Sequence, residues 1–101
     1  MKHGYDDLTA FHDSVARYDA LPPGQRPAWN YQQWTPAESL EGASYLRTTL
    51  HQNPGARMRA YLGLIDDQGE ELVTLWLVVV DEGGAILGGF NESFPCPPRC
   101  G

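Results

Sequence analysis

The run at residues 71–81 places the strongest constraint on the fold of this chain of 101 residues. It is the part richest in β-branched and large apolar residues, and both of its alternating sets are apolar. One set contains Val73, Leu75, Leu77 and Val79, and the other contains Leu72, Trp76, Val78 and Val80. A strand that is apolar on both faces needs a neighbour along each edge and cover on each side. The run therefore predicts the central strand of a sheet.

Two helices are predicted before this strand. An apolar stripe at helical spacing marks the first over residues 7–20, with Asp6 or Asp7 as its N-terminal cap. The second begins at Thr35, because a capping threonine, a proline and a glutamate three residues after the cap form a capping box. Its predicted buried stripe consists of Leu40, Ala43, Leu46 and Leu50. Asn-Pro-Gly at residues 53–55 is a typical helix end.

Three strands follow, at residues 57–65, 71–81 and 85–90. They are joined by short turns, and Gly69 supplies the positive φ that a hairpin turn requires. Connections this short force antiparallel pairing. The predicted fold class is α+β, with two helices followed by a three-stranded antiparallel β-meander (α-α-β-β-β). It forms one domain over residues 1–101, with residues 94–101 as a tail rich in proline and cysteine.

The sheet has one face that lacks obvious cover. Both helices are expected on the opposite face, which leaves a set of large apolar residues: Tyr61, Ile65, Trp76, Val78 and Val80. A patch of this size exceeds what monomers normally expose to water. Either the remainder of the chain covers it, or a protein partner or a second copy does. The sequence therefore predicts a protein partner, with a homodimer as one form of it.

The charge of the chain limits its partners. Seven Lys and Arg residues against thirteen Asp and Glu residues give a formal net charge of −6. This balance disfavours nucleic acid, whose affinity for proteins comes mainly from basic contacts, and permits a basic protein partner. No apolar run approaches the roughly 20 residues that span a bilayer, and no signal-peptide core is visible near the start. We expect a cytoplasmic protein that does not contact a membrane.

An aromatic cluster, Trp29, Tyr31 and Trp34, lies in the segment between the two predicted helices. The rings can fold back over the edge of the core, as large side chains in small domains do. They can also form a contact surface for a partner. The predicted partner-binding residues are this cluster together with Tyr61 and Trp76.

The tail carries both cysteines, Cys96 and Cys100, among closely spaced prolines. An extended path would hold their Cα atoms about 12 Å apart. A disulfide requires about 4.4–6.8 Å, so the pair can close only if the intervening residues form a turn. Three interpretations stay open: an inert pair, a disulfide or redox pair, and half of a metal site. A metal site would need further ligands, for which His3, His12 and His51 are the candidates, and their spacing matches no zinc pattern.

From Ala43 onward the chain resembles a group of small bacterial proteins of unknown function. The matching segments are Tyr45-Leu46-Arg47, the strand at residues 59–63, the run at residues 75–81, and the closing Pro-Cys-Pro-Pro-Arg-Cys at residues 95–100. The resemblance covers a little over half of the chain. It implies a small α+β domain that ends in a proline-cysteine tail, and it implies no activity, cofactor or catalytic residue.

No catalytic signature is present in the sequence: a nucleophile elbow, a zinc-protease motif, a Walker loop and a dinucleotide fingerprint are all missing. We therefore predict no enzymatic activity and no cofactor. The leading hypothesis is a small acidic interaction module, either an adaptor or an inhibitor, that can self-associate through its sheet. The alternative is a thiol-redox or metal-binding protein that works through Cys96 and Cys100.

Overall fold

The computed structural model describes residues 8–100 and has an α+β fold. Its helices are α1 (Thr9–Asp19) and α2 (Pro36–Gln52), with a 3-10 turn at Pro23–Gln25. Its strands are β1 (Tyr31–Gln33), β2 (Arg57–Asp67), β3 (Glu70–Val80), β4 (Ile86–Phe90) and β5 (Phe94–Cys96). Strands β2, β3 and β4 form one antiparallel sheet, and β1 pairs with β5 in a second. The α+β class and the meander are confirmed. The predicted order α-α-β-β-β is wrong, because β1 precedes α2 and β5 follows the meander.

The start of α2 follows from its sequence as predicted. The Thr35 hydroxyl accepts a hydrogen bond from the Glu38 backbone N–H at 3.2 Å and donates one to the Glu38 carboxylate at 3.0 Å. Pro36 lies in the first turn of the helix. Backbone N–H groups have no acceptor within the helix at this position, so a proline, which has no N–H, costs no hydrogen bond. The helix ends at Gln52, and Gly55 then adopts a φ of 88°. The corresponding predicted caps of α1, Asp6 and Asp7, lie outside the described residues.

The hairpin that joins β2 to β3 has a two-residue turn, Gln68-Gly69. Both residues have positive φ, 54° and 80°, as a type I′ turn requires. This turn matches the right-handed twist of the strands, so β2 and β3 pair without interruption from Arg57↔Val80 to Asp67↔Glu70. The pairing of β3 with β4 is shorter, from Leu77↔Phe90 to Val80↔Ile86, and a bulge shifts its register between Val79 and Val80.

The two helices lie on opposite faces of the β2-β3-β4 sheet. Trp76 and Val78 pack with Phe11 of α1 in the main core cluster. On the other side, the ring of Phe90 lies directly against Gly42 of α2. Val78 pairs with Gly89 and Leu77 with Phe90, and adjacent pairs point to opposite faces. The expectation of both helices on one face is therefore wrong: α1 covers the face around Trp76 that the sequence left bare.

The buried side of α2 agrees with the predicted stripe only in part. Leu46 is buried as predicted, whereas Leu40 is 74% exposed and Ala43 is exposed, and Gly42 is buried instead. A Cβ on Gly42 would lie 2.3 Å from the Phe90 ring, so the missing side chain lets this turn of the helix approach β4 closely. Closest approach, rather than the spacing of leucines, decides which side of α2 faces the sheet.

None of the helices within residues 8–100 is long and apolar enough to cross a membrane.

Candidate functional site

The predicted aromatic cluster is divided between surface and interior. Tyr31 on β1 is 47% exposed, and Trp29 is half-buried. Trp34 is half-buried at the junction of β1 and α2, where its Nε1–H donates to the Asn91 carbonyl at 2.7 Å. Its ring stacks on Phe90 with a centroid distance of 6.3 Å. Trp34 therefore fixes the start of α2 to the sheet, and its remaining surface faces outward.

The other two predicted partner residues lie beneath α1. Trp76 is only 2% exposed, and its Nε1–H donates to the Ser14 hydroxyl at 3.0 Å. Phe11 meets the rings of Tyr61 and Trp76 edge-on at 5.3 and 5.4 Å. The buried ring of Trp76 is thus inaccessible to a partner while α1 is docked. The prediction of self-association through this face rests on its lack of cover, and α1 supplies that cover. The oligomeric state itself stays a prediction.

The tail forms a closed turn. Cys96 and Cys100 are joined by a disulfide, with their Cα atoms 4.8 Å apart. The Arg99 N–H donates to the Pro95 carbonyl at 2.8 Å, so the chain bends between the cysteines as closure requires. Cys96 is buried in β5, whereas Cys100 is exposed. The sequence leaves three interpretations of this pair open, and the structure agrees with the one in which the two cysteines form a disulfide. Within residues 8–100, which exclude His3, no group of three or more His, Cys, Asp or Glu residues could hold a metal ion.

Arg99 ties this turn to the hairpin between β2 and β3. Its Nε donates to Asp67 at 3.1 Å, and its Nη2 donates to Glu70 at 3.0 Å. The Gln33 side chain donates to the Arg99 carbonyl at 3.0 Å, which holds the same residue from β1. Hydrogen bonding to Asp67 raises the pKa of Arg99 above its ordinary value, partial loss of hydration opposes this, and Glu70 adds to the rise. The stabilisation from a cation with a raised pKa is lost only as pH rises through that pKa, so this contact persists at neutral pH.

The hairpin end carries two like-charged cross-strand pairs, Asp66↔Glu71 and Asp67↔Glu70. Like charges directly opposite each other on neighbouring strands destabilise a sheet. Arg17 of α1 bridges the first pair, as Arg99 does the second. The bond to Glu71 raises the pKa of Arg17, although burial opposes it. Four carboxylates against two guanidinium groups leave an excess of two negative charges at this end.

A cleft of about 510 Å³ lies between this hairpin end and the start of α2. Its lining combines apolar residues with polar ones: Trp34, Pro36, Phe94, Asp67, Gln68 and Arg99. We call this the acid-aromatic cleft. Ring surface beside hydrogen-bonding groups is the combination that anchors a partner side chain at protein interfaces. Of the predicted site residues, the cleft brings together Trp34 and Cys100, and it does not include Tyr61 or Trp76.

Sequence reasoning missed the buried polar segment at residues 91–93. Asn91, Glu92 and Ser93 are all buried, and Glu92 has a φ of 74°, which is unusual for a residue with a side chain. Asn91 and Glu92 line a second cleft of about 400 Å³ against α1. Three polar residues between two phenylalanines are typical of an exposed loop, so the local pattern carried no signal of burial.

Ser93 attaches β5 to the part of the β3 edge that does not pair with β4. Its hydroxyl accepts from the Leu75 N–H at 2.7 Å and donates to the Gln32 side chain at 2.9 Å. Gln32 in turn donates to the Val73 carbonyl at 3.2 Å. These bonds satisfy β3 backbone groups at the part of the strand that β4 does not reach.

Substituting alanine for Ser93 should lower the free energy of unfolding by about 2 kcal/mol, since the half-buried Leu75 N–H would lose its acceptor and the fully buried Thr74 hydroxyl a hydrogen-bond partner. Urea unfolding followed by circular dichroism measures the change. The exposed Ser44 of α2 provides the control, and Ser44→Ala should change stability by less than about 0.5 kcal/mol. Equal stability of the two variants would show that the hydroxyl does not hold β5 in place.

Comparison with known proteins finds no match to a family model, to a curated protein or to a solved structure. The α+β fold implied by the resemblance to small bacterial proteins is present, and the relationship itself stays a prediction.

Proposed function

We propose that this chain is a small acidic, non-enzymatic interaction module, an adaptor or an inhibitor, that binds a basic protein partner at the acid-aromatic cleft. The observation that carries the proposal is the position of the cleft. Its wall is shared between the aromatic junction at Trp34 and the hairpin end, where two carboxylates, those of Asp67 and Glu70, share the single guanidinium of Arg99.

The cleft offers two kinds of interaction to one partner. Trp34 and Phe94 present ring surface that a partner side chain can cover, and neither ring needs to be ordered on binding because both are packed into the fold. A rigid anchor lowers the entropic cost of association. Tyr31, exposed on the adjoining β1, extends the aromatic surface. These residues would supply most of the affinity.

The charges of the hairpin end would orient the partner and increase its rate of association. A surplus of negative charge beside an apolar anchor attracts a basic surface and raises its association rate, an effect that salt weakens. The whole chain adds to this field with its net charge of −6. A complex of this type is expected to form more slowly as the salt concentration rises.

The test is a comparison of matched glutamine variants. Gln68→Arg adds a cation and bulk at the rim of the cleft without replacing any residue that Arg99 contacts. Gln52→Arg makes the same change at the far end of α2, about 24 Å from Pro36 by helical rise. A protein captured from the source organism by the unmodified chain is purified, and its affinity for each form is measured by calorimetry. We expect Gln68→Arg to weaken binding at least tenfold and Gln52→Arg to leave it unchanged.

Two results contradict the proposal. One is a partner that binds Gln68→Arg as tightly as it binds the unmodified chain, which would place the interface elsewhere. The other is the failure of any captured protein to form a stoichiometric complex with the purified chain. Native mass spectrometry of the isolated chain, run beforehand, separates a heterologous partner from a second copy.

A further inference from the structure

We infer that the Cys96–Cys100 bond is a thiol-exchange site at which an external dithiol opens the tail turn and releases Arg99 from the hairpin end. Two features of the structure support this inference. The bond has one exposed and one buried cysteine, and the turn that it closes contains Arg99, which forms ion pairs with Asp67 and Glu70. The exchange itself does not depend on the proposed function; its effect on binding does.

The exposure of the two residues determines the direction of attack. Cys100 is exposed and lines the acid-aromatic cleft, so an incoming thiolate can reach it. Cys96 is buried in β5, and its carbonyl accepts from the Asn30 N–H at 2.6 Å. Exchange is controlled by access and by which sulfur is attacked. Attack is therefore expected at Cys100, with Cys96 as the leaving thiolate.

The reaction is a two-electron reduction with a dithiol as reductant. The first external thiolate attacks Sγ of Cys100, the Sγ–Sγ bond breaks, and its electron pair goes to Sγ of Cys96, which takes up a proton. The second thiolate of the dithiol attacks the resulting mixed disulfide and releases the Cys100 thiolate, which is then protonated. The dithiol leaves as a disulfide, and the chain carries two thiols.

Opening the bond removes the covalent closure of the turn that contains Arg99. The guanidinium of Arg99 makes a half-buried ion pair with Asp67 and an exposed one with Glu70, and such pairs near the surface are individually weak and need a fixed geometry to persist. Once the turn is free, Asp67 and Glu70 lose their counter-ion and one wall of the acid-aromatic cleft disappears. Reduction thus changes both the shape and the charge of the proposed binding surface.

Amide hydrogen exchange tests this without any partner. The Arg99 N–H, bonded to Pro95, and the Asn30 N–H, bonded to Cys96, report on the closed turn, while the Gly84 N–H, bonded to Asp81, reports on a turn outside the tail. After reduction with dithiothreitol, exchange at Arg99 and Asn30 should accelerate at least tenfold and exchange at Gly84 should not change. The double variant Cys96→Ser, Cys100→Ser should match the reduced chain.

Single-cysteine variants test which sulfur is attacked. In Cys96→Ser the remaining Cys100 thiol should react with DTNB at least tenfold faster than the Cys96 thiol does in Cys100→Ser, while circular dichroism confirms that both variants are folded. Equal reaction rates would overturn the assignment of Cys100 as the attacked sulfur. A bond that dithiothreitol reduces only when the chain unfolds, or reduction without faster exchange at Arg99 and Asn30, would overturn the switch. Neither result bears on whether a partner binds, so this inference and the proposed function fail separately.

Discussion

Replacing Trp76 with alanine should lower the free energy of unfolding by about 4 kcal/mol, a large fraction of the stability of a domain of this size. The side chain is 2% exposed and lies in the core cluster between α1 and the sheet. Its removal leaves a cavity beside Phe11 and deletes the hydrogen bond to Ser14, two of the contacts that attach α1 to the sheet. Urea unfolding followed by circular dichroism should show a lower midpoint with an unchanged m value.

Two further tryptophan variants separate packing from hydrogen bonding. Trp76→Phe keeps most of the apolar volume and loses the Nε1–H donor, so its cost should be about 1–2 kcal/mol. Trp29→Ala makes the same truncation at a half-buried position and should cost less than half as much as Trp76→Ala. If Trp76→Ala costs no more stability than Trp29→Ala, α1 does not cover this face of the sheet. The face around Trp76 would then again be a candidate interface, as the sequence predicts.

The elements that the sequence predicts correctly are those with a local physical cause. The start of α2 depends on Thr35, Pro36 and Glu38, which lie within one helical turn. The hairpin between β2 and β3 depends on Gln68 and Gly69, whose positive φ angles fix the register of the strands. Each of these signals lies within a few residues of the structure that it produces.

The elements that the sequence does not predict depend on distant residues. Strand β1 has only three residues, and its partner β5 contains Pro95, which by itself argues against a strand. The two pair because Ser93 and Gln32 hold them beside β3, a contact between residues about sixty positions apart. A local pattern of apolar and polar residues cannot predict pairing between strands so far apart in the sequence. The burial of residues 91–93 follows from the same contact.

The candidate site was predictable only in parts. The aromatic residues and the two cysteines stand out in the sequence, and closure of the tail was one of the alternatives that the cysteine spacing left open. The cleft itself depends on Arg99 reaching Asp67 and Glu70 across the fold. The charge surplus of the hairpin end is visible in the sequence, whereas the Arg17 and Arg99 contacts that neutralise part of it are not.

Replacing Gly42 with valine should lower the free energy of unfolding by about 3 kcal/mol, at the upper end of the usual cost of overfilling a core. A Cβ at this position would lie 2.3 Å from the Phe90 ring, which is 2% exposed and also stacks on Trp34. Either this buried ring must shift and disturb its stacking on Trp34, or the helix must move away from β4. Helix propensity alone would favour valine over glycine by a few tenths of a kcal/mol, so the sign of the measured change is decisive.

Two variants on the same helix distinguish the observed rotation of α2 from the predicted one. Ala43→Val introduces the same residue at the next, exposed position, and Leu40→Ala truncates a side chain that is 74% exposed. Both should change stability by less than about 0.5–1 kcal/mol in urea unfolding. If α2 instead buried the stripe of Leu40 and Ala43, Leu40→Ala would cost about 2–4 kcal/mol and Gly42→Val almost nothing. The close approach at Gly42 sets α2 against the Phe90 ring, on which Trp34 stacks at the wall of the acid-aromatic cleft, so the same measurements also test the packing behind this wall.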